Sequence, residues 1–116
     1  MNRLVVSGTG QVYKNLALEE ALLRELKEGQ CGLYLWVNDP SVILGNNQCA
    51  YLECSPGLCR SRKITVARRR SGGGAVYHDL GNVNFTFIAD HTGSDFDFST
   101  FCRPVIWALE SLGVPA

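Results

Sequence analysis

The stretch Arg68-Arg69-Arg70-Ser71-Gly72-Gly73-Gly74-Ala75-Val76-Tyr77-His78, running straight into Asp79-Leu80-Gly81-Asn82, decides how this chain is read. Three consecutive glycines give the backbone dihedrals closed to other residues and let its N–H groups approach a ligand closely. Three guanidiniums just upstream supply positive charge and the forked donors that phosphate and carboxylate groups match. Ile64 to Ala67 is extended before the arginines, and Ala75-Val76-Tyr77 resumes an extended pattern after the glycines. The glycines therefore form a loop held between two strands, and the stretch reads as an anion site. A flexible turn beside a solvated basic face is the weaker alternative, because strands on both sides are not what a linker has.

Working outward, Ala75 to His78 and Val83 to Ile88 read as strands joined across Asp79-Leu80-Gly81, with Val83, Phe85 and Phe87 on one side and Asn84 and Thr86 on the other. A last helix is expected from about Ser99 to Leu112, with Phe101, Val105, Leu109 and Leu112 on one stripe and Gly113 as the stop. Pro104 argues that its true first turn begins near Arg103.

Upstream, Leu33 to Val37 alternates as a strand, with Tyr34 and Trp36 sharing one side. Asn38-Asp39-Pro40 reads as a turn and Ser41-Val42-Ile43-Leu44 as a second strand ending at Gly45, which makes a hairpin. The polar segment Asn46 to Tyr51 suits a loop covering a neighbouring site, followed by a weak helical stretch to Arg60 that Pro56-Gly57 breaks. Arg3 to Ser7 is expected as the first strand, closed by Gly8-Thr9-Gly10. From Val12 to about Glu28 the period is helical, with Val12, Leu16, Leu18, Leu22, Leu23 and Leu26 on one broad face and Gly29 as the stop. Glu19 breaks that face. A carboxylate among leucines costs several kcal/mol unless it is paired or hydrogen-bonded, so it needs a specific partner. A core glutamate bonded to an amide or an arginine and a glutamate facing a ligand both satisfy that need.

At 116 residues and 46% hydrophobic, the chain is long enough for one modest core and too short for two domains. A formal net charge of zero and a pI near 6.7 give no global field that favours nucleic acid or an acidic membrane, so neither is expected as a partner. No apolar run is long enough to span a bilayer. Five cysteines are an odd count, and with no secretory segment they point to a reducing compartment: the cytoplasm, or alternatively the mitochondrion. Cys49, Cys54 and Cys59 contain no CxxC pair, and His78 and His91 lie well downstream. The thiols therefore read as buried or incidental, and no metal site is expected.

The run from Arg68 to Phe87 resembles the signature of the lipoate–protein ligase family (lipoate–protein ligase A and lipoyltransferases), within the wider biotin/lipoate ligase fold. Supporting matches are Asn15-Leu16-Ala17-Leu18-Glu19-Glu20, Leu35-Trp36, and Pro40-Ser41-Val42-Ile43-Leu44-Gly45 leading to Gln48. The resemblance implies an α+β, class II synthetase-like catalytic domain, with a mixed or antiparallel sheet flanked by helices. Residues 1–116 would be its N-terminal segment, incomplete at the C-terminus. It implies ATP-dependent activation of lipoate to lipoyl-AMP, then transfer to a lysine on a lipoyl acceptor domain of a 2-oxoacid dehydrogenase or on the glycine-cleavage H protein, with Mg2+ accompanying ATP.

By the same resemblance Arg69 and the Gly74-Ala75-Val76-Tyr77 backbone match the ATP-holding positions. Leu16, Glu19, Trp36 and Ser71 match the lipoate pocket, and His78 is expected to make a positioning hydrogen bond there and not to act as a general base. Trp36 is equally compatible with ordinary core packing. Of the three arginines, Arg69 is expected to turn back over the glycine loop, with strand alternation sending Arg68 and Arg70 to the opposite face. The chain departs from the family at Asn46, where a Lys or Arg is frequent, and at Cys49, where Asn is frequent. Beyond the matched region the family carries a catalytic lysine; Lys14, Lys27 and Lys63 lie outside the matching context, so no catalytic residue is assigned. A transferase of the same fold, and a small binding subunit completed by a second chain bearing the lysine, are the alternatives.

Overall fold

The computed structural model describes residues 2–90 and 97–116. In chain order it comprises β1 (Arg3–Val6), α1 (Val12–Glu25), β2 (Cys31–Val37), β3 (Ser41–Leu44), α2 (Ala50–Glu53), α3 (Pro56–Ser61), β4 (Thr65–Arg68), β5 (Val76–His78), β6 (Val83–Ala89) and α4 (Phe98–Ser111). The strands form two three-stranded sheets, β1-β2-β6 and β4-β3-β5. Both are mixed. β1 runs parallel and β6 antiparallel to β2; β4 runs parallel and β5 antiparallel to β3. The fold is the expected α+β architecture of mixed sheets flanked by helices.

One helix serves both sheets. Leu18 and Leu22 of α1, with Leu26 just past its end, pack on Val5, Tyr34, Trp36 and Ile88 of the first sheet, while Val12 and Leu16 pack on Ile43 and Ala67 of the second. Helical spacing puts these side chains on one stripe, and the helix is long enough for each half of the stripe to cover a different sheet. Leu16 and Glu19 therefore sit where one sheet gives way to the other. Leu23, expected on the buried face, is 62% exposed because it lies at the margin of the stripe. The helix also ends at Glu25, short of Glu28: the Leu26 amide closes on Leu22 O at 3.2 Å, and Gln30 Oε1 then takes the Lys27 amide at 3.0 Å. Gly29, at φ +75°, belongs to the following turn.

The expected β2–β3 hairpin does not form. Although the two strands are separated only by Asn38-Asp39-Pro40, they belong to different sheets. The connection is captured from outside. The Asp39 amide donates to Gly10 O at 2.8 Å, Pro40 O accepts from Thr65 N at 3.0 Å, and the Asn38 side chain is fully buried. A Cβ on Gly10 would lie 2.3 Å from Asp39 Oδ1, so any larger residue there would make the Asp39 side chain move aside. β5 and β6 are likewise consecutive but part company, β5 joining β3 and β6 joining β2.

α4 starts at Phe98, five residues ahead of Arg103. Asp97 caps it, accepting from Ser99 N at 2.9 Å, Ser99 Oγ at 2.8 Å and Thr100 Oγ1 at 3.2 Å. Pro104 sits inside the helix, so the one backbone bond it forgoes is outweighed by a well-made N-terminus. Pro56, by contrast, opens α3 at its first turn, where its missing N–H costs nothing. The side of β6 bearing Val83 and Phe85 is exposed together with Leu4 and Val6, whereas Asn84, Thr86 and Ile88 point toward α1. None of the helices is long and apolar enough to cross a membrane among the described residues.

Candidate functional site

The arginine–glycine segment leaves β4 at Arg68 and returns as β5 at Val76. Each arginine leaves it in a different direction. Arg68 Nη1 donates to the carbonyls of Gly45 (3.0 Å), Asn46 (3.3 Å) and Gln48 (2.5 Å), bracing the loop after β3. Arg69 turns back over the glycines, with Nη2 donating to Gly72 O at 2.7 Å and Gly74 O at 2.8 Å and Nη1 to Ile43 O at 3.3 Å. Arg70 pairs with Glu20 on α1. Because β4 ends at Arg68, alternation does not carry through to Arg70, and all three side chains line the larger cleft described below.

Two glycines make this packing sterically feasible. Gly73 has φ +95°, and a Cβ on Gly45 would lie 2.0 Å from Gly73 O. The Asn46 amide donates to Ser71 O at 2.9 Å, which ties the two loops together, while Gln48 Oε1 accepts from Gly45 N at 2.8 Å and closes the loop after β3 on itself. With the carbonyls of Gly72 and Gly74 turned to Arg69, the amides from Ser71 to Ala75 donate to no protein group among the described residues. Undonated N–H groups beside a guanidinium have the chemistry that suits an anion.

Arg69 borders two adjoining clefts, which also share Leu16, Glu19 and Thr86. The larger, about 510 Å3, is walled by Ala17, Glu20, Leu23, Arg24, Arg68, Arg70, Ser71, Phe87 and Ile88. The smaller, about 320 Å3, is walled by Trp36, Ile43, Val76, His78, Val83, Asn84 and Phe85. Glu19 lies at their junction, half-buried, and accepts a hydrogen bond from Thr86 Oγ1. That bond is the partner its position demanded, and the residue also faces both clefts. Glu20 bridges Arg24, at 2.5 Å, and Arg70. The hydrogen bond from Arg24 is the largest influence and holds its carboxyl below the usual value; desolvation opposes it, and the charges of Arg70 and Arg24 add to the lowering. Trp36 is buried, stacked on Tyr34 with ring centroids 4.5 Å apart and planes 14° from parallel.

Of the residues singled out in the sequence, Leu16, Glu19, Trp36, Ser71, His78, Arg69 and Val76 all line this pair of clefts. Ser71 falls in the larger one, apart from Trp36 and His78 in the smaller. Gly74 and Ala75 line neither and offer backbone only, and the Tyr77 side chain is 55% exposed on the other side of β5. His91 lies outside the described residues. Burial, and then the charge of Arg69, push the His78 ring below its ordinary pKa, which favours the neutral form.

Asn15, Asn38, Asn84 and Thr86 were not anticipated as site residues. Asn15 and Asn38 are completely buried and linked to each other and to His78, while Asn84 and Thr86 line the clefts from β6. The signal for Asn15 was available: it lies between Val12 and Leu22 on the apolar stripe, as Glu19 does between its leucines. Among the described residues no three His, Cys, Asp or Glu side chains cluster as metal ligands, so these residues supply no all-protein cage for a divalent ion.

The profile of the lipoyl protein ligase A/B catalytic domain matches residues 11–116. Lipoate–protein ligase 1 of Staphylococcus aureus (strain Mu50 / ATCC 700699) is 46% identical over 103 residues, covering 88% of this chain and 31% of that protein. Lipoate-protein ligase LplJ of Bacillus subtilis (strain 168) is 48% identical with the same coverage. Among solved structures, lipoate-protein ligase A bound with ATP superposes with a TM-score of 0.85 at 35% identity, over 98% of this chain and 48% of the other. A putative lipoate protein ligase from T. acidophilum with bound lipoic acid gives 0.83 at 34%, over 98% and 49%. A bi-partite lipoate protein ligase from Thermoplasma acidophilum, described with its E2 lipoyl domain, gives 0.78 at 35%, over 96% and 44%. The chain thus spans 31% of the length of the curated relatives it matches. With a match that takes in α1, the arginine–glycine loop and both clefts, the chain belongs to the lipoyl protein ligase A/B catalytic domain family.

Proposed function

We propose that this chain supplies the acyl- and nucleotide-binding walls of a site that activates lipoate with ATP. The observation that carries the reading is Arg69, clasped over the glycine loop and lining both a cleft walled by Leu16 and Trp36 and the adjoining cleft that holds Ser71. In the reaction a lipoate carboxylate oxygen attacks the α-phosphorus, the bond to the bridging oxygen breaks, and pyrophosphate leaves. An acceptor lysine amine then attacks the acyl carbon and AMP departs with its electron pair. Charge grows on the non-bridging phosphate oxygens in the first step, and Arg69 with nearby amides of the glycine loop would stabilise it.

Leu16, Trp36 and Ile43 give a dithiolane tail the apolar contact it needs, while Glu19, Ser71 and His78 offer polar groups that orient the acyl chain. Mg2+ would arrive with the triphosphate, held mostly by phosphate and water oxygens. The acceptor is a lysine on a lipoyl domain or H protein. The archaeal bi-partite neighbour supports that partner class, and it also favours a second reading in which this chain works with another polypeptide. Lys14, Lys27 and Lys63 line neither cleft, so the lysine charge that the family resemblance implies would come from outside these residues. Pyrophosphate release by the 116-residue chain alone would count against that second reading.

The test is calorimetric titration of the chain with lipoate and with ATP, backed by Trp36 fluorescence in a Trp107→Phe background. Both ligands should bind, and lipoate should perturb Trp36. A chain that is folded and binds neither would overturn the proposal.

A further inference from the structure

Beneath the start of α1 a chain of buried amides ends at the smaller cleft. Asn15 is fully buried, and its Nδ2 donates to the backbone carbonyls of Thr9 at 3.0 Å and Val37 at 3.2 Å. A backbone carbonyl only accepts, so the Asn15 amide cannot be turned the other way round without setting three oxygens against one another. Its Oδ1 takes the hydroxyls of Ser7 at 2.6 Å and Tyr34 at 3.1 Å, which agrees with that orientation.

The fixed donor settles the next residue. Asn15 Nδ2 has two N–H groups for three oxygens and shares one of them; since an amide nitrogen does not accept, the Asn38 atom 2.9 Å away must be the acceptor Oδ1 and not a second NH2. Asn38 is itself fully buried, so no solvent is at hand to take either role, and its remaining amide atom is Nδ2, a donor. That donor lies 3.1 Å from His78 Nδ1. Nδ1 must then accept, and a proton there would place two donors face to face.

We infer that Asn15 and Asn38 are positioning residues that hold His78 as the neutral Nε2–H tautomer, so that the ring offers the smaller cleft a hydrogen-bond donor and no base. The atom it meets there must be an acceptor, such as a carbonyl, carboxylate or phosphate oxygen. Charged groups around the ring agree with this. Arg69 lines the same cleft and opposes a second positive charge, and the Glu19 carboxylate, which would favour one, is engaged by Thr86. The use of that donor in acyl activation rests on the function proposed above; the tautomer does not.

The experiment is a long-range 1H–15N correlation spectrum of the labelled full chain across pH, with His91→Gln to assign the two histidines. Expected for His78 are a pyridine-type Nδ1, a protonated Nε2, and a titration midpoint below that of an ordinary histidine. A protonated Nδ1, or a midpoint at or above the ordinary one, would overturn the inference. Asn38→Asp gives a second reading, because a carboxylate can accept from both Asn15 and His78. The proton should move to Nδ1, and the midpoint should shift so that His78 protonates at a proton concentration at least about tenfold lower. Lipoate affinity in that variant should then vary with pH across the new midpoint, unlike in the parent. A folded Asn38→Asp with the parent's tautomer and midpoint would sink the relay. If the variant does not fold, the parent spectrum still decides. A chain that binds no lipoate but shows the expected tautomer would refute the proposed function and leave the relay standing.

Discussion

Replacing Arg69 by alanine should weaken ATP binding far more than it weakens the fold. Of the five guanidinium N–H groups, three are spent on Gly72 O, Gly74 O and Ile43 O, which leaves two free to meet a phosphate. Losing a charged hydrogen bond to phosphate costs about 1.5–3 kcal/mol. The clasp also holds Gly72 to Gly74 in place before any ligand arrives, and re-ordering even one backbone unit on binding costs about 1–2 kcal/mol. Together these give about 2.5–5 kcal/mol, a rise in Kd of roughly 60-fold to several-thousand-fold. Stability should change less, because the Gly72 and Gly74 carbonyls are at the surface and water can replace the guanidinium. Calorimetry with ATP, paired with urea denaturation, separates the two effects. Hydrogen exchange of the Ser71 to Ala75 amides should report a loosened loop. Arg69→Lys should recover only part of the affinity, since one ammonium cannot span three carbonyls. Arg68→Ala should show the reverse balance, because Arg68 braces the Gly45–Gln48 loop. An Arg69→Ala chain with unchanged Kd for ATP would refute the reasoning.

Three further outcomes are expected. Gly45→Ala sets a methyl group against Gly73 O, so it should cost about 1–3 kcal/mol in denaturation and a larger factor in ATP affinity, since the displaced segment is the loop itself. Asn15→Ala leaves the buried Asn38 Oδ1 without its donor and takes one donor from each of the half-buried Thr9 and Val37 carbonyls, so urea denaturation should show a loss of about 2–3 kcal/mol. Glu20 has a folded pKa below its ordinary 4.5, so the stabilisation from its bridges is complete above 4.5 and is lost as pH falls through the lowered value; acid melting curves of Glu20→Gln should lack that component.

The legible parts of the sequence were those written in local pattern. The 3.6 period placed α1 and put Glu19 on its inward face, and the extended runs around Gly72-Gly73-Gly74 placed β4 and β5. Pairing was not legible. β2 and β3 look like a hairpin because three turn-forming residues separate them, yet what decides their fate is non-local: Gly10 taking the Asp39 amide and Thr65 reaching the Pro40 carbonyl. Nothing within Asn38-Asp39-Pro40 announces those partners. Pro104 misled for a related reason, since its local cost was visible while the compensating cap from Asp97 was not weighed against it.

The same division runs through the site. Residues whose side chains face a ligand could be named singly, because each breaks a pattern: a carboxylate among leucines, arginines beside glycines. The residues that orient them could not, because their roles exist only as a sequence of contacts. Asn15 breaks its helix face as plainly as Glu19 does, but its consequence is felt at His78, through Asn38, and each step depends on knowing which atom of the previous amide is the donor. The start of that logic is two main-chain carbonyls, Thr9 and Val37, which carry no side-chain signature at all. The histidine's protonation is thus set by main-chain carbonyls two side chains away. For that reason substitutions at Asn15 and Asn38, which line neither cleft, should alter what the smaller cleft can bind and not only how stably the chain folds.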